Sequence, residues 1–168
     1  MKNDEWHRII DKKDVRFWIR DDIERIIQEQ HIDRNRFHEF SKNKYPEIIK
    51  KFFFCFSDIK NYSFPSAISL AFNRMHFRSE LRSECIDCFF RTYSWTEYMK
   101  TIKEAIPKNG QKLFLILCEG WVYEGEIDEM FTVLNEVTFI KDFYIVSSKF
   151  DWFIAVSDME DTASIYRI

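Results

Sequence analysis

Three glycines and three prolines in 168 residues give this chain few inexpensive positive-φ positions and few enforced breaks, so its connections are expected to be short or built from ordinary turns. So little glycine argues against a phosphate-cradling loop, and no GxSxG, P-loop or GxGxxG pattern occurs. No apolar run approaches the ~20 residues that span a bilayer. The start, MKNDEWHRIIDKKD, is charged and lacks a signal-peptide core. A cytosolic protein without membrane contact is expected.

Cysteine is also sparse. Cys55, Cys85, Cys88 and Cys118 sit among Phe, Ile and Leu, which predicts reduced, buried thiols in place of a disulfide framework. Cys85 and Cys88 form the one CxxC. A structural zinc needs four ligands and only His76 lies near in sequence, while a redox pair wants a helix start after a strand. Core packing is the expectation for both thiols, with no metal and no cofactor. His7, His31, His38 and His76 are scattered without a positioned partner, and solvent-facing or helix-capping roles are expected of them.

What the chain has in quantity is aromatic surface: 18 Phe, 7 Tyr and 5 Trp, enough burial per side chain to predict one folded domain over residues 1–168. Val15, Trp18, Ile19, Ile23, Ile26 and Ile27 draw an apolar stripe on a helix, and Trp6, Ile9 and Ile10 begin another upstream. Asp33 offers a cap for a short helix through Phe37 and Phe40, and Pro46 suits the first turn of the next, through Ile48, Ile49 and Phe52. The run Phe52 to Phe56 fits a buried strand or the end of that helix. Ala67 to Met75 has helical character, and Cys85 to Phe90 fits either geometry.

Ser94 and Glu97 form a capping-box signature before Tyr98, Ile102, Ala105 and Ile106, a helix that should stop at Pro107. Leu113 to Cys118 reads as an interior strand, Glu126 to Val137 as a helix, and Phe139 to Val146, Asp151 to Ser157 and Ser164 to Ile168 as strands. The expected fold is α+β: N-terminal helices packed on a mixed or antiparallel sheet of about four strands supplied mainly by the C-terminal half. Residues 1–60 form its helical part and 94–168 the part containing the sheet.

Charge is uneven along the chain. From Gln111 onward eleven Asp and Glu face four Lys and Arg, a net −7, while the preceding residues total +4. An acidic surface repels nucleic acid and anionic membrane and attracts a basic protein cleft. In EGWVYEGEIDEM and KFDWFIAVSDMED large aromatics alternate with carboxylates on segments expected at the surface, where they are either folded back or presented to a partner. The predicted partner-binding set is therefore Glu119, Trp121, Tyr123, Glu124, Glu126, Asp128, Glu129, Asp151, Trp152, Asp158, Glu160 and Asp161. Trp and Tyr in it would act as anchors.

The stretch from WVYEG through YIVSSKFDWFIAVSD, Leu113 to Asp158 in all, resembles a family of small, largely uncharacterised bacterial proteins. The hairpin of that family ends in a Glu-Asn-His-His-type run where this chain has Ser157, Asp158 and Met159, so no role of those histidines carries over. Small acidic α+β proteins of this kind resemble immunity proteins, which cover the active site of a toxin. The resemblance implies a non-enzymatic inhibitor, monomeric or homodimeric, whose protein partner is a basic toxin domain such as a nuclease. Two rival expectations come from other classes: a metal-dependent hydrolase with Glu119, Glu124 and Asp128 as ligands, and a structural protein that self-associates through its aromatics.

Overall fold

The computed structural model describes residues 19–58, 77–87, 94–137, 140, 142–157 and 162–168. The expected stripe forms helix α1, Ile19–Glu29, with Ile19, Ile23, Ile26 and Ile27 buried. Its upstream part, the Trp6 stripe and the Ala67 to Met75 segment lie outside the described residues. Helix α1 ends in a Schellman arrangement: the N–H of Ile32 donates to the Ile27 carbonyl and that of His31 to Gln28. His31 takes the left-handed conformation there, φ 53, a place usually held by glycine.

The helix expected through Phe37 and Phe40 is instead one turn and a strand. Asp33 accepts from the N–H of Asn35 at 2.8 Å, and its carbonyl takes the N–H of both Arg36 and Phe37. The chain then extends as β1, Phe37–Glu39. An Asx turn competes with helix capping for the same Asp, and pairing with a neighbouring strand decides the outcome here.

A 3-10 turn, Lys42–Lys44, leads into α2, Tyr45–Phe56, with Pro46 in its first turn. The ambiguous Phe run is thus helical: Phe52, Phe53 and Phe56 are buried and Phe54 faces out. Strand β2, Arg82–Asp87, precedes α3, Trp95–Ala105, whose capping box is complete in both directions between Ser94 and Glu97. The rest is β3 (Leu113–Leu117), β4 (Val122–Gly125), α4 (Ile127–Glu136), β5 (Phe143–Ser147), β6 (Trp152–Ser157) and β7 (Thr162–Arg167).

The sheet has seven strands in the order β1-β4-β3-β5-β6-β7-β2, every pair antiparallel. The fold is α+β as expected, but about four strands was too few. Three extra strands come from short or polar segments: β1 has three residues, β2 is largely exposed, and β4 carries the acid-aromatic alternation taken for a surface connection. Because β4 reverses the chain, β3 and β5 run antiparallel, with Leu115 opposite Ile145.

Alternation along the strands divides the sheet into two covered faces. Phe114, Tyr144, Phe153 and Tyr166 share one face by register, and α2 lies on it. The Phe52 ring is 4.8 Å from Tyr144 and that of Phe56 is 4.6 Å from Phe153. Tyr123, Leu115, Ile145, Ile154 and Ile165 share the other, where α1 meets Tyr123, α4 lies beside α1, and α3 beside α4. The Trp95 indole N–H donates to the Leu134 carbonyl at 2.7 Å and ties α3 to α4. Burial on both faces explains the unbroken apolar stretch of β3.

The expectation of reduced, buried cysteines holds in part. Cys55 and Cys118 are free and half-buried, whereas Cys85 is exposed and disulfide-bonded. Cys88 and His76 lie outside the described residues.

Candidate surface site

The predicted partner-binding residues separate to opposite ends of the sheet. Gly125 of β4 pairs with Leu113 at the start of β3, and Leu113 with Ser147 at the end of β5. Glu126, Asp128, Glu129, Asp151 and Trp152 therefore belong to that end. Glu119 and Trp121 occupy the β3–β4 turn at the other end, where the Cys118 N–H donates to the Asp142 carbonyl. The five residues of β3 put ~13 Å between the two rims. Glu119 consequently cannot share an ion with Glu124 and Asp128, which removes the proposed ligand trio. Among the described residues no group of three His, Cys, Asp or Glu is placed to hold a metal. Asp158, Glu160 and Asp161 lie outside the described residues.

The aromatic anchors are folded inward. Trp121 is 7% exposed, Tyr123 0% and Trp152 4%, so none presents a ring to a partner. Tyr123 is stacked on Phe37 with ring centroids 5.4 Å apart, and its hydroxyl donates to Glu24 Oε1 at 3.2 Å. Burial, reinforced by the neighbouring Glu24, drives the Tyr123 phenol far above its ordinary pKa. These side chains have the composition of a hot spot because a β-strand beside an edge needs large side chains on both faces.

Around Trp121 the chain builds a polar corner joining α1, β1 and the start of α2. Arg20 forks onto Glu39, Nε to Oε1 at 3.0 Å and Nη2 to Oε2 at 2.7 Å. The Tyr45 hydroxyl donates to the same carboxylate at 2.5 Å. The Arg20 guanidinium lies 5.5 Å and the Lys42 ammonium 5.7 Å from the Trp121 ring centroid. Burial alone would raise the Glu39 pKa, but the hydrogen bonds from Arg20 and Tyr45 prevail and hold it below the usual carboxylate range. Burial and the Glu39 contact together push the Tyr45 phenol up.

Four carboxylates of the last third find basic side chains from earlier in the chain. Arg36 bridges Glu126 at 2.9 Å and Glu129 at 3.0 Å, Lys103 reaches Asp128 at 2.6 Å, and His38 Nε2 lies 3.7 Å from Glu124. The Lys103 hydrogen bond holds Asp128 below its ordinary pKa. Asp151 accepts from the Ser147 hydroxyl and is spent on its own turn. The sequence asymmetry of −7 against +4 is thus partly cancelled by folding.

A different asymmetry survives, and it follows the layers. Helices α1, α3 and α4 together carry nine Asp and Glu against four Lys and Arg, a net −5, of which Glu24 and Glu129 are paired with Arg34 and Arg36 from the connection after α1. Across the sheet, residues 42–56, the turn and α2, carry four Lys against Glu47 alone, a net +3. Asp21, Arg25 and Glu29 on α1 and Asp128, Thr132 and Glu136 on α4 are exposed at four-residue spacing, which makes two outward stripes. Asp21, Glu29 and Glu136 were absent from the expected set, although that spacing was open to view. Asp128, with a side chain 70% exposed, is the predicted residue that belongs to this surface most clearly.

The chain belongs to a family of unknown function, DUF6756, whose family model matches residues 16–168. No curated protein and no solved structure matches it.

Proposed function

We propose that this protein is an inhibitory binding protein of the immunity type, acting in the bacterial cytosol by laying its acidic three-helix layer over the cationic cleft of a toxin domain. The observation that supports this reading is the −5 carried by α1, α3 and α4 on one side of the sheet. A toxin cleft that binds a polyanionic substrate, such as a nucleic acid, has the opposite sign. Attraction between the two would speed encounter toward ~10⁸ M⁻¹s⁻¹ at low salt. With Trp121, Tyr123 and Trp152 buried, specificity would rest on carboxylates and helix-surface shape, without aromatic anchors.

The decisive experiment pairs the chain with a secreted protein encoded beside it. Co-expression with that protein's C-terminal toxin domain should restore growth, and the purified pair should associate more slowly as salt rises. Continued killing with both proteins folded and present would refute the inhibitory reading. An association rate indifferent to salt would refute its electrostatic part.

A further inference from the structure

The two outer faces of the molecule are complementary to each other. On α2, Glu47, Lys50, Lys51 and Phe54 are exposed at helical spacing, and the turn before it adds Lys44 and, beside the Trp121 corner, Lys42. Phe54 is 76% exposed, while Phe52, Phe53 and Phe56 of the same helix are buried. A phenylalanine left in water forgoes ~1.5–3 kcal/mol of burial. Its backbone is nonetheless fixed, because the Arg78 guanidinium donates to the Phe54 carbonyl at 2.6 Å. A basic helix face therefore carries one exposed aromatic ring on a fixed backbone.

On the far side of the sheet α1 and α4 run antiparallel. Arg20 at the start of α1 meets Glu39 and Trp121 at one rim, whereas α4 starts from Gly125 at the other. Their last residues are Glu29 and Glu136, and neither helix has a basic residue in its last turn. Acids at helix C-termini oppose the dipole, a cost that Glu29 offsets through its ion pair with Arg25 at 2.5 Å and that remains at Glu136.

We propose that a second copy of this chain docks here, its α2 face with Phe54 seated against the α1–α4 face of the first. The contact joins unlike faces, +3 on residues 42–56 to −5 on helices α1, α3 and α4, and those faces lie on opposite sides of the sandwich. It therefore does not close into a two-fold dimer, and repeats head to tail, as a ring where its rotation closes and a stack where it does not. This holds whether or not a toxin also uses the acidic layer. If both are true, stacking and toxin compete for it.

Light scattering on the full chain tests the proposal. At about 10 mM ionic strength, where screening extends ~30 Å, the weight-average mass should rise with concentration, and at ~1 M, where it extends ~3 Å, it should fall to that of one chain. Two double variants isolate the faces: Lys50→Glu with Phe54→Ser, and Asp128→Lys with Glu136→Lys. All four positions are exposed, and circular dichroism verifies that both variants fold. Each alone should stay monomeric, while an equimolar mixture should give a one-to-one dimer and nothing larger, since only one complementary pair of faces remains. A wild-type chain that is monomeric throughout at low salt overturns the proposal. So does a mixture that does not associate, or association that persists in either variant alone, which would point to other surfaces.

Discussion

Replacing Gly125 with Ala should detach the edge strand β1. A Cβ at Gly125 would lie 2.3 Å from the Arg36 carbonyl oxygen, 2.7 Å from Cδ2 of Phe37 and 2.8 Å from its Cα. Carbon and oxygen rest comfortably at ~3.3 Å or more, so β1 would have to retreat by about 1 Å. That movement disturbs Phe37, which is fully buried, and the bonds from Glu126 N–H to Arg36 and from Phe40 N–H to Val122, 2.7 and 2.8 Å. Losing much of a Phe burial costs ~1.5–3 kcal/mol and two hydrogen bonds ~1 kcal/mol each, for a total of ~3–5 kcal/mol. In a domain of this size that lowers Tm by ~6–20 °C. Gly110→Ala is the control. Gly110 has φ +66 and nothing within 4 Å of a new Cβ, so only the left-handed penalty of ~1–2 kcal/mol applies. Urea unfolding followed by circular dichroism should rank Gly125→Ala well below Gly110→Ala. Equal midpoints, or a loss under ~1 kcal/mol at Gly125, would show that the close approach does not hold β1.

The two non-glycine left-handed residues should respond oppositely. His31→Gly relieves the Schellman position without removing buried surface and should stabilise by ~0.5–1 kcal/mol. Phe150→Gly relieves φ 57 but deletes a ring that is 3% exposed, 5.7 Å from Phe114 and 4.4 Å beneath Lys51; a net loss of ~1–2 kcal/mol is expected. Thermal melts decide both signs. Glu39 supplies a pH test: its folded-state pKa lies below the unfolded value, so its stabilisation is full above ~pH 4.3 and is lost as pH falls through the folded value. Glu39→Gln should flatten that acid limb in urea titrations at stepped pH, and an unchanged limb would remove the Arg20–Glu39–Tyr45 corner from the acid response.

Sequence pattern located elements wherever a single face or a cap dictated the local choice. The Ile stripe of α1, the Ser94–Glu97 box and the apolar block of β3 each carry their own explanation within a few residues, and all three formed. Elements fixed by distant partners were not legible. Strand β1 exists because Phe37 to Glu39 pair with Tyr123 to Gly125, nearly ninety positions on, and an Asp that can cap a helix or close an Asx turn leaves the local signal neutral. The same applies to β4, whose Trp and Tyr resemble a binding surface until α1 and β1 cover them. The pairing of the predicted surface acids was not legible for a related reason: Arg36, His38 and Lys103, which face Glu126, Glu129, Glu124 and Asp128, come from the first two thirds of the chain.

Charge summed along a sequence measures a surface only when neighbouring residues share a face, and an antiparallel sandwich breaks that condition. Successive elements here cross the sheet or reverse at its rims, so the acids of one hairpin divide between two rims and the acids of one helix stripe gather with those of a helix a hundred residues away. Pairing within the fold removes the first kind of excess, as Arg36 does for Glu126. The second kind is reduced by pairs such as Arg25 with Glu29 and Arg36 with Glu129, but a net excess remains because exposed stripes of adjacent helices point the same way. Glu136 illustrates the difference: it is exposed and lies at the end of α4, within the layer, whereas Asp151, which accepts from the Ser147 hydroxyl, keeps its charge but sits on the β5–β6 turn, outside the helical layer. A docking partner senses the layer, so variants grouped by layer should change its association rate more than variants grouped by sequence position. Asp21→Asn with Asp128→Asn and Glu136→Gln should slow binding of a cationic toxin domain more than Glu119→Gln with Glu124→Gln and Asp151→Asn, although both sets remove three charges. Equal slowing in stopped-flow fluorescence would mean that net charge alone governs encounter.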